Sequence, residues 1–245
     1  MGRHDIHNSE TPALCGSCEV RHRGLCGALS GDQLMMLSKH SRIVRHPAGT
    51  ELIADDSDIT SYANVMRGVV KLSKMLDDGR QQVVGLQFAP DFLGRLFGRQ
   101  NTLSAQAASD VELCKVPKAA LEAMVGDNPA LEHRLLEQTL RELDDARDWM
   151  VTLGRKTASE KVASFLYLVA THIDPVAEAE RQQGENADAR FDLPLSRADI
   201  ADFLGLTIET VSRQLTRLRK EEIISVVNNR TFVIPDLKCL ANRCG

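Results

Sequence analysis

No stretch of the 245 residues approaches the roughly 18 consecutive apolar residues that a membrane span needs. The opening Met1-Gly2-Arg3-His4-Asp5 lacks the apolar core of a signal peptide. These absences lead us to expect a soluble, cytoplasmic protein with no membrane partner. There is no excess of positive charge either: the formal net charge is −4, so any nucleic-acid binding must come from a local basic surface. No flavin or nucleotide fingerprint occurs, and the cysteines do not form the compact four-cysteine run of ferredoxins, which argues against an enzyme or electron carrier. Internal repeats and low-complexity tracts are absent.

The chain does have six cysteines, Cys15, Cys18, Cys26, Cys114, Cys239 and Cys244. In a reducing cytosol these do not read as a disulfide framework. Cys15, Cys18 and Cys26 supply three thiols from one loop in which Gly16, Gly24 and Gly27 permit close folding. A fourth donor must come from elsewhere, and Cys114 is the only other cysteine before the C-terminal tail. Four thiolates suit a cubane iron–sulfur cluster and a tetrahedral zinc equally well. Arg21, His22 and Arg23 are placed to balance such an anionic centre. Cys114 taken alone would read as a small buried apolar residue, and Cys239 and Cys244 read as incidental.

Residues 1–14 show no apolar period and read as a loose leader; Gln33–Leu37 suggests one or two helical turns. From Ser41 to Lys115, short β-rich runs alternate with turn residues, the pattern of an antiparallel sandwich or roll, and Asp78-Gly79 marks a hairpin. After Pro117 the pattern is helical to about Leu153. Leu136, Leu140, Leu143 and Met150 follow steps of four and three, with Arg147 in the one polar slot. That is a coiled-coil-like seam and implies a homodimer, the alternative being a helix packed on its own β-domain. Glu142, Asp144, Asp145 and Asp148 flank the seam, so two such helices repel and the dimer is marginal unless something offsets the repulsion.

A second domain begins near Thr157 with an amphipathic helix over 157–172, followed by a polar, linker-like stretch over 175–192. Ser196 caps a helix, with Asp199 completing a capping box. Gly205 breaks that helix, and a second runs from about Thr207 to Lys220. Val211, Leu215 and Leu218 lie on one side of it; Glu209, Ser212, Arg213 and Thr216 lie on the other. This is the helix-turn-helix pattern, whose second helix enters the major groove of double-stranded DNA. A carboxylate at 209 suits cytosine N4, and a guanidinium at 213 suits guanine O6 and N7. Arg217, Arg219 and Lys220 add phosphate attraction, and Ile224–Val227, Asn228-Asn229 and Thr231–Ile234 suggest a two-stranded wing.

From Cys15 to about Ile234 the sequence resembles the Crp/Fnr superfamily of bacterial transcription regulators, and within it the oxygen-responsive Fnr branch. The resemblance rests on Glu209-x-x-Ser212-Arg213 within Leu204–Arg213 and on the cysteine triplet combined with Cys114. The seven residues between Cys18 and Cys26 are similar to the longer spacing of alphaproteobacterial-type members. What the resemblance implies is an α+β chain with four parts: a cysteine-rich cluster-binding segment over 1–28, an antiparallel, cyclic-nucleotide-binding-like β-roll over 29–120, a dimerisation helix over 121–154 and a winged helix-turn-helix over 155–245. It further implies a 4Fe-4S cluster on Cys15, Cys18, Cys26 and Cys114 that supports a DNA-binding homodimer without oxygen. Oxygen would convert it towards a 2Fe-2S form and weaken the dimer. The implied operator is a palindrome with TTGAT-like half-sites met by Glu209, Ser212 and Arg213, with RNA polymerase as a partner near loops such as Asp77–Arg80. A zinc or thiol-redox switch on the same fold is the alternative.

One departure from the superfamily bears on ligands. Cyclic-nucleotide-binding members carry a Gly-Glu pair and, further on, an Arg beside Ser or Thr. Here the matching stretches are Phe92-Leu93-Gly94-Arg95-Leu96-Phe97 and Thr102-Leu103-Ser104-Ala105. An Arg replaces the acid, and Leu103 stands in place of the phosphate-binding cation, so no cyclic nucleotide is expected.

Overall fold

The computed structural model describes residues 12–16, 18, 20–174, 188–228 and 230–245. It falls into two compact units, Met1–Lys74 with Leu86–Asp144, and Met75–Gly85 with Asp145–Gly245.

The first unit begins with a helical turn, α1 (Ala13–Gly16), and a 3-10 turn (Leu25–Ala28), followed by α2 (Gly31–Ser38). Part of the expected leader is therefore ordered, since Ala13 and Leu14 belong to α1; residues 1–11 lie outside the described residues. Ser30 and Gln33 form a reciprocal capping box at the start of α2. The antiparallel roll follows as two four-stranded sheets. One has the order β1 (Arg42–His46), β8 (Val111–Pro117), β3 (Ser61–Arg67), β6 (Phe92–Leu93). The other has the order β2 (Glu51–Ile53), β7 (Ser104–Ala107), β4 (Val70–Met75), β5 (Gln81–Gln87). Side chains that alternate inward, including Ala63, Val65, Val70, Ala105, Val111 and Leu113, fill the space between the sheets. A second apolar cluster lies on the opposite face of the first sheet, where Tyr62 and Val116 meet Leu25, Leu37, Leu121, Val125 and Leu131.

The expected continuous helix over 121–154 is corrected by the structure. There are two helices, α3 (Lys118–Gly126) and α4 (Pro129–Arg155). The cause is local: the residue before a proline is disfavoured in helical geometry, whereas proline itself suits a first helical turn. Asn128 turns its carboxamide to the new helix, its Oδ1 accepting from the amides of Ala130 (3.1 Å) and Leu131 (3.2 Å).

In the second unit, α5 (Ala158–His172) starts from a capping box of Thr157 and Glu160. The polar stretch expected to be a linker ends in a strand, β9 (Ala189–Asp192), another correction; residues 175–187 of that stretch lie outside the described residues. The strand signal was short: Ala189 and Phe191 are buried in alternation with exposed Arg190 and Asp192. β9 pairs with β11 (Thr231–Ile234), which pairs with β10 (Ser225–Val227). The helices α6 (Arg197–Leu204) and α7 (Ile208–Lys220) lie between β9 and β10 in the chain, and α8 (Leu237–Ala241) follows β11. Asn228 of the expected turn has φ 54, and Asn229 lies outside the described residues. No helix among the described residues is long and apolar enough to cross a membrane.

Because Asn128 is buried and caps α4, Asn128→Ala should lower stability by about 1–2 kcal/mol, Asn128→Asp by less. Urea unfolding followed by far-UV circular dichroism measures this; an Ala variant as stable as the parent would refute the capping role.

Candidate functional site

Cys114 stands in β8, between Ile43 of β1 on one side and Asn64 of β3 on the other. Strand alternation turns Val111 and Leu113 into the roll and leaves Cys114 and Val116 on the outer face. On β3 the same parity puts Ala63 and Val65 inside and Tyr62 and Asn64 outside. The cysteine-bearing segment is anchored over this outer face by Leu25, which is buried in the outer cluster, and by Val20, which joins the roll core. Cys18 packs beside the roll core and Cys26 beside the outer cluster. Gly27 is required there: a Cβ on it would lie 2.5 Å from the carbonyl oxygen of His22.

Cys15, Cys18, Cys26 and Cys114 line one small apolar cavity, with Arg21 and Asn64 as its only other polar side chains among the described residues. All four are free cysteines. They are close enough that ionised sulfurs repel in each of the six pairings. Burial, with that repulsion, pushes the Cys26 thiol up to about 12 and the Cys114 thiol up to about 11. The Cys15 thiol is raised for the same reasons, and the Arg21 guanidinium opposes the rise at Cys15 and Cys26. Arg21 is itself only 4% exposed, and its Nη2 lies 2.9 Å from His22 Nε2; His22 and Arg23 are exposed. One buried and three half-buried thiols, three of which resist ionising, form beside a buried cation a donor set that fits a cationic metal core, which would remove the protons and cancel the repulsion. Among the described residues, no three His, Cys, Asp or Glu side chains converge on a single-ion position.

The same segment is tied to α4. Arg134 Nη2 donates to the Arg23 carbonyl oxygen at 2.8 Å, while Nη1 lies 3.3 Å from Glu137 Oε2. Beneath this tie, Leu25 packs in the cluster that holds Leu131 and Leu135. Further along α4, Leu136, Leu140, Leu143 and Met150 are 56, 51, 43 and 72% exposed, and Arg147 and Asp148 are exposed beside them.

The second candidate surface is α7. Ser196 and Asp199 cap α6 reciprocally. Gly205 ends that helix at φ 62, a left-handed position that favours glycine. Thr207 caps α7 through its Oγ1, which accepts from the Thr210 amide at 3.2 Å. Val211, Leu215 and Leu218 are buried, and Glu209, Ser212, Arg213, Thr216 and Arg217 are exposed together. Hydrogen bonds from its own amide and the Thr207 hydroxyl hold the Glu209 carboxyl below the usual carboxylate range, so it is an acceptor at neutral pH. Arg213 rests on Thr210 Oγ1 at 3.3 Å. Arg217 is paired with Glu221 at 2.8 Å, and Arg243 shares that acid at 3.2 Å. A phosphate contact by Arg217 therefore exchanges one exposed ion pair for another.

Comparison with known proteins follows this division. The Cyclic nucleotide-binding domain model matches residues 43–128, and the Crp-like helix-turn-helix domain model matches residues 160–243. A protein of Rhizobium leguminosarum bv. viciae described as "Probable transcriptional activator" is 53% identical over 97% of this chain and 95% of its own length. The transcriptional activator protein FnrL of Cereibacter sphaeroides is 38% identical over 96% of this chain and 95% of its own. The solved structure of FixK2 from Bradyrhizobium japonicum superposes with a TM-score of 0.71 at 32% identity, covering 84% of this chain and 98% of that one. The chain belongs to the Crp/Fnr family: it is a DNA-binding transcription regulator, not an enzyme.

Arg134 and Leu25 had no signal in the sequence, because their roles depend on which turn of α4 meets the loop. Asn64 carried a weak one, asparagine being depleted in strands. On the DNA side, Arg213→Ala should reduce discrimination at one base pair by about 1–3 kcal/mol and leave non-specific binding nearly intact. Titrations against operator variants at fixed salt measure this; equal losses on every sequence would count against base reading.

Proposed function

We propose that this regulator responds to oxygen through a 4Fe-4S cluster held by Cys15, Cys18, Cys26 and Cys114, and that it binds DNA as a homodimer when oxygen is low. The carrying observation is the gathering of four free thiols and a buried guanidinium around one cavity. What favours a multi-iron core over a single zinc is the likeness of the cysteine pattern, three near the start and one in β8, to that of the oxygen-responsive branch of the family. When bound, the cluster supplies an air-labile bridge between loop and strand.

The protein's own residues turn that bridge into a signal. The cavity between loop and strand is small, with a volume of about 30 Å³. Cys114 is fixed in a strand paired on both sides, so the loop is the part that must yield when the cavity is filled. Leu25 and the Arg23 carbonyl move with the loop, and they bear on Leu131, Leu135 and Arg134 of α4. The exposed seam of Leu136, Leu140, Leu143 and Met150 then pairs with that of a second copy against the repulsion of the acidic flank, which includes Asp148.

Two α7 helices related by a two-fold axis suit a palindrome with TTGAT-like half-sites about one helical turn apart, read by Glu209, Ser212 and Arg213, with Thr216 and Arg217 beside them. Relatives named as activators support activation, with RNA polymerase as partner, and the exposed turn Asp77–Arg80 offers a contact surface. The roll serves as scaffold without a bound cyclic nucleotide: Arg95 is exposed, and Leu103 stands where the phosphate cation would be.

Purified without oxygen, the protein should be brown, absorb broadly near ~400 nm, contain iron and sulfide, and lose colour and operator affinity together in air. A zinc-loaded or metal-free preparation with full DNA binding would instead establish the zinc or thiol-switch reading. Cys114→Ser should abolish the response to air. Asp148→Ala removes a like charge from the seam and should raise the dimer fraction in air; sedimentation showing an unchanged monomer fraction would refute this.

A further inference from the structure

Asn64 plays no part in the function proposed above, yet it shares the cavity with all four cysteines. Its position follows from register: Asn64 and Cys114 are direct partners across the antiparallel pairing of β3 and β8. Directly opposed residues present their side chains on the same face, with Cβ atoms roughly 4.5–5.5 Å apart. The Asn64 carboxamide is thus set beside the Cys114 sulfur by two strands, neither of which has to move for it to get there. Its Oδ1 is buried without a hydrogen-bond partner. An orphaned buried amide oxygen is costly, so its presence among sulfur atoms and apolar side chains calls for a compensating bond. The cavity is rich in sulfur, which accepts from an amide N–H once it is ionised and metal-bound. A half-turn about the terminal torsion of asparagine, which is soft and two-fold, exchanges oxygen for nitrogen.

We propose that Asn64 is a positioning and tuning residue for the metal centre: its carboxamide N–H donates to the metal-bound Cys114 thiolate and slows loss of the cluster in air. This rests on the iron–sulfur reading of the four cysteines. A hydrogen bond to a ligating sulfur withdraws electron density from it and raises the reduction potential, so transfer of an electron to dioxygen becomes less favourable. The rigid wall of the site thereby sets the oxygen threshold, while the loop transmits the result.

The test compares the anaerobically loaded protein with Asn64→Leu, which keeps the shape and removes the donor, and with Asn64→Ser, which keeps a donor. Iron and sulfide content, the midpoint potential and the decay of the ~400 nm absorption on mixing with air-saturated buffer are measured for each. Asn64→Leu should load fully, show a more negative potential and decay on the order of ten times faster, with Asn64→Ser lying between it and the parent. A fully loaded Asn64→Leu protein with the parent's potential and decay would overturn the proposal and leave the iron–sulfur reading intact. Should Asn64→Leu fail to load, Asn64→Ser decides: a potential more negative and a decay faster than the parent's support the donor role, parental values overturn it, and failure to load as well assigns Asn64 to packing. A parent protein without iron and sulfide would remove the function proposed above and this inference together.

Discussion

The parity of strand β8 is the constraint on which the sensory end depends. Because side chains alternate, the register that buries Val111 and Leu113 inside the roll also delivers Cys114 to the outer face, opposite Asn64 and beneath the cysteine loop. A slip of one residue would bury Cys114 in the roll and put Leu113 in the cavity wall. That slip is opposed by pairing on both edges of β8, through five partners in β1 and six in β3. The far sulfur is therefore the best-determined atom of the site, and the three near ones belong to a segment held by Leu25, Val20 and one arginine.

The difference in stiffness decides where a signal can go. A rigid strand cannot transmit a change in its ligand, whereas a loop resting on the first turns of α4 can. The energies are suited to switching. Burying Leu136, Leu140, Leu143 and Met150 of both copies favours pairing, and the freedom lost on association opposes it. Each exposed like-charge pair along the acidic flank opposes it further, by a few tenths of a kcal/mol. Where these terms nearly balance, a shift of about 1.4 kcal/mol at the first turns of α4 changes the dimerisation constant tenfold.

Much of this was legible in the sequence, and what was not has physical reasons. The roll, the helix-turn-helix and its caps, and the exposed face of α7 were readable because turn residues, capping pairs and helical period are local signals: Ser196, Asp199, Gly205 and Thr207 declare themselves within a few residues. The break before α4 was equally local, in Asn128-Pro129, and was obscured by the strong apolar period on both sides. Strand β9 escaped because it has four residues and owes its state to pairing with Thr231–Ile234, a partner about forty positions away. The cysteine triplet was visible by spacing. The company it keeps, Arg134 and Asn64, depended on packing and register, which no single segment encodes.

The organisation of the DNA end argues for where control must act. α7 is capped by its own Thr207, braced by Leu215 and Leu218, and preceded by a left-handed Gly205, all within one chain and one compact unit. Nothing in the cysteine site is needed to complete that surface, so a change in the sensor does not work by folding or unfolding the reader. In the function proposed above, it works by deciding whether two readers are joined. A single helix-turn-helix offers one set of base contacts and a few phosphate contacts, whereas two joined on a palindrome gain the effective concentration of an intramolecular second contact, worth factors of 10²–10⁴ without any new chemistry at the bases. A marginal seam on α4 is then the natural place for regulation, because a change of one or two kcal/mol there is amplified by the second half-site into an occupied or an empty operator.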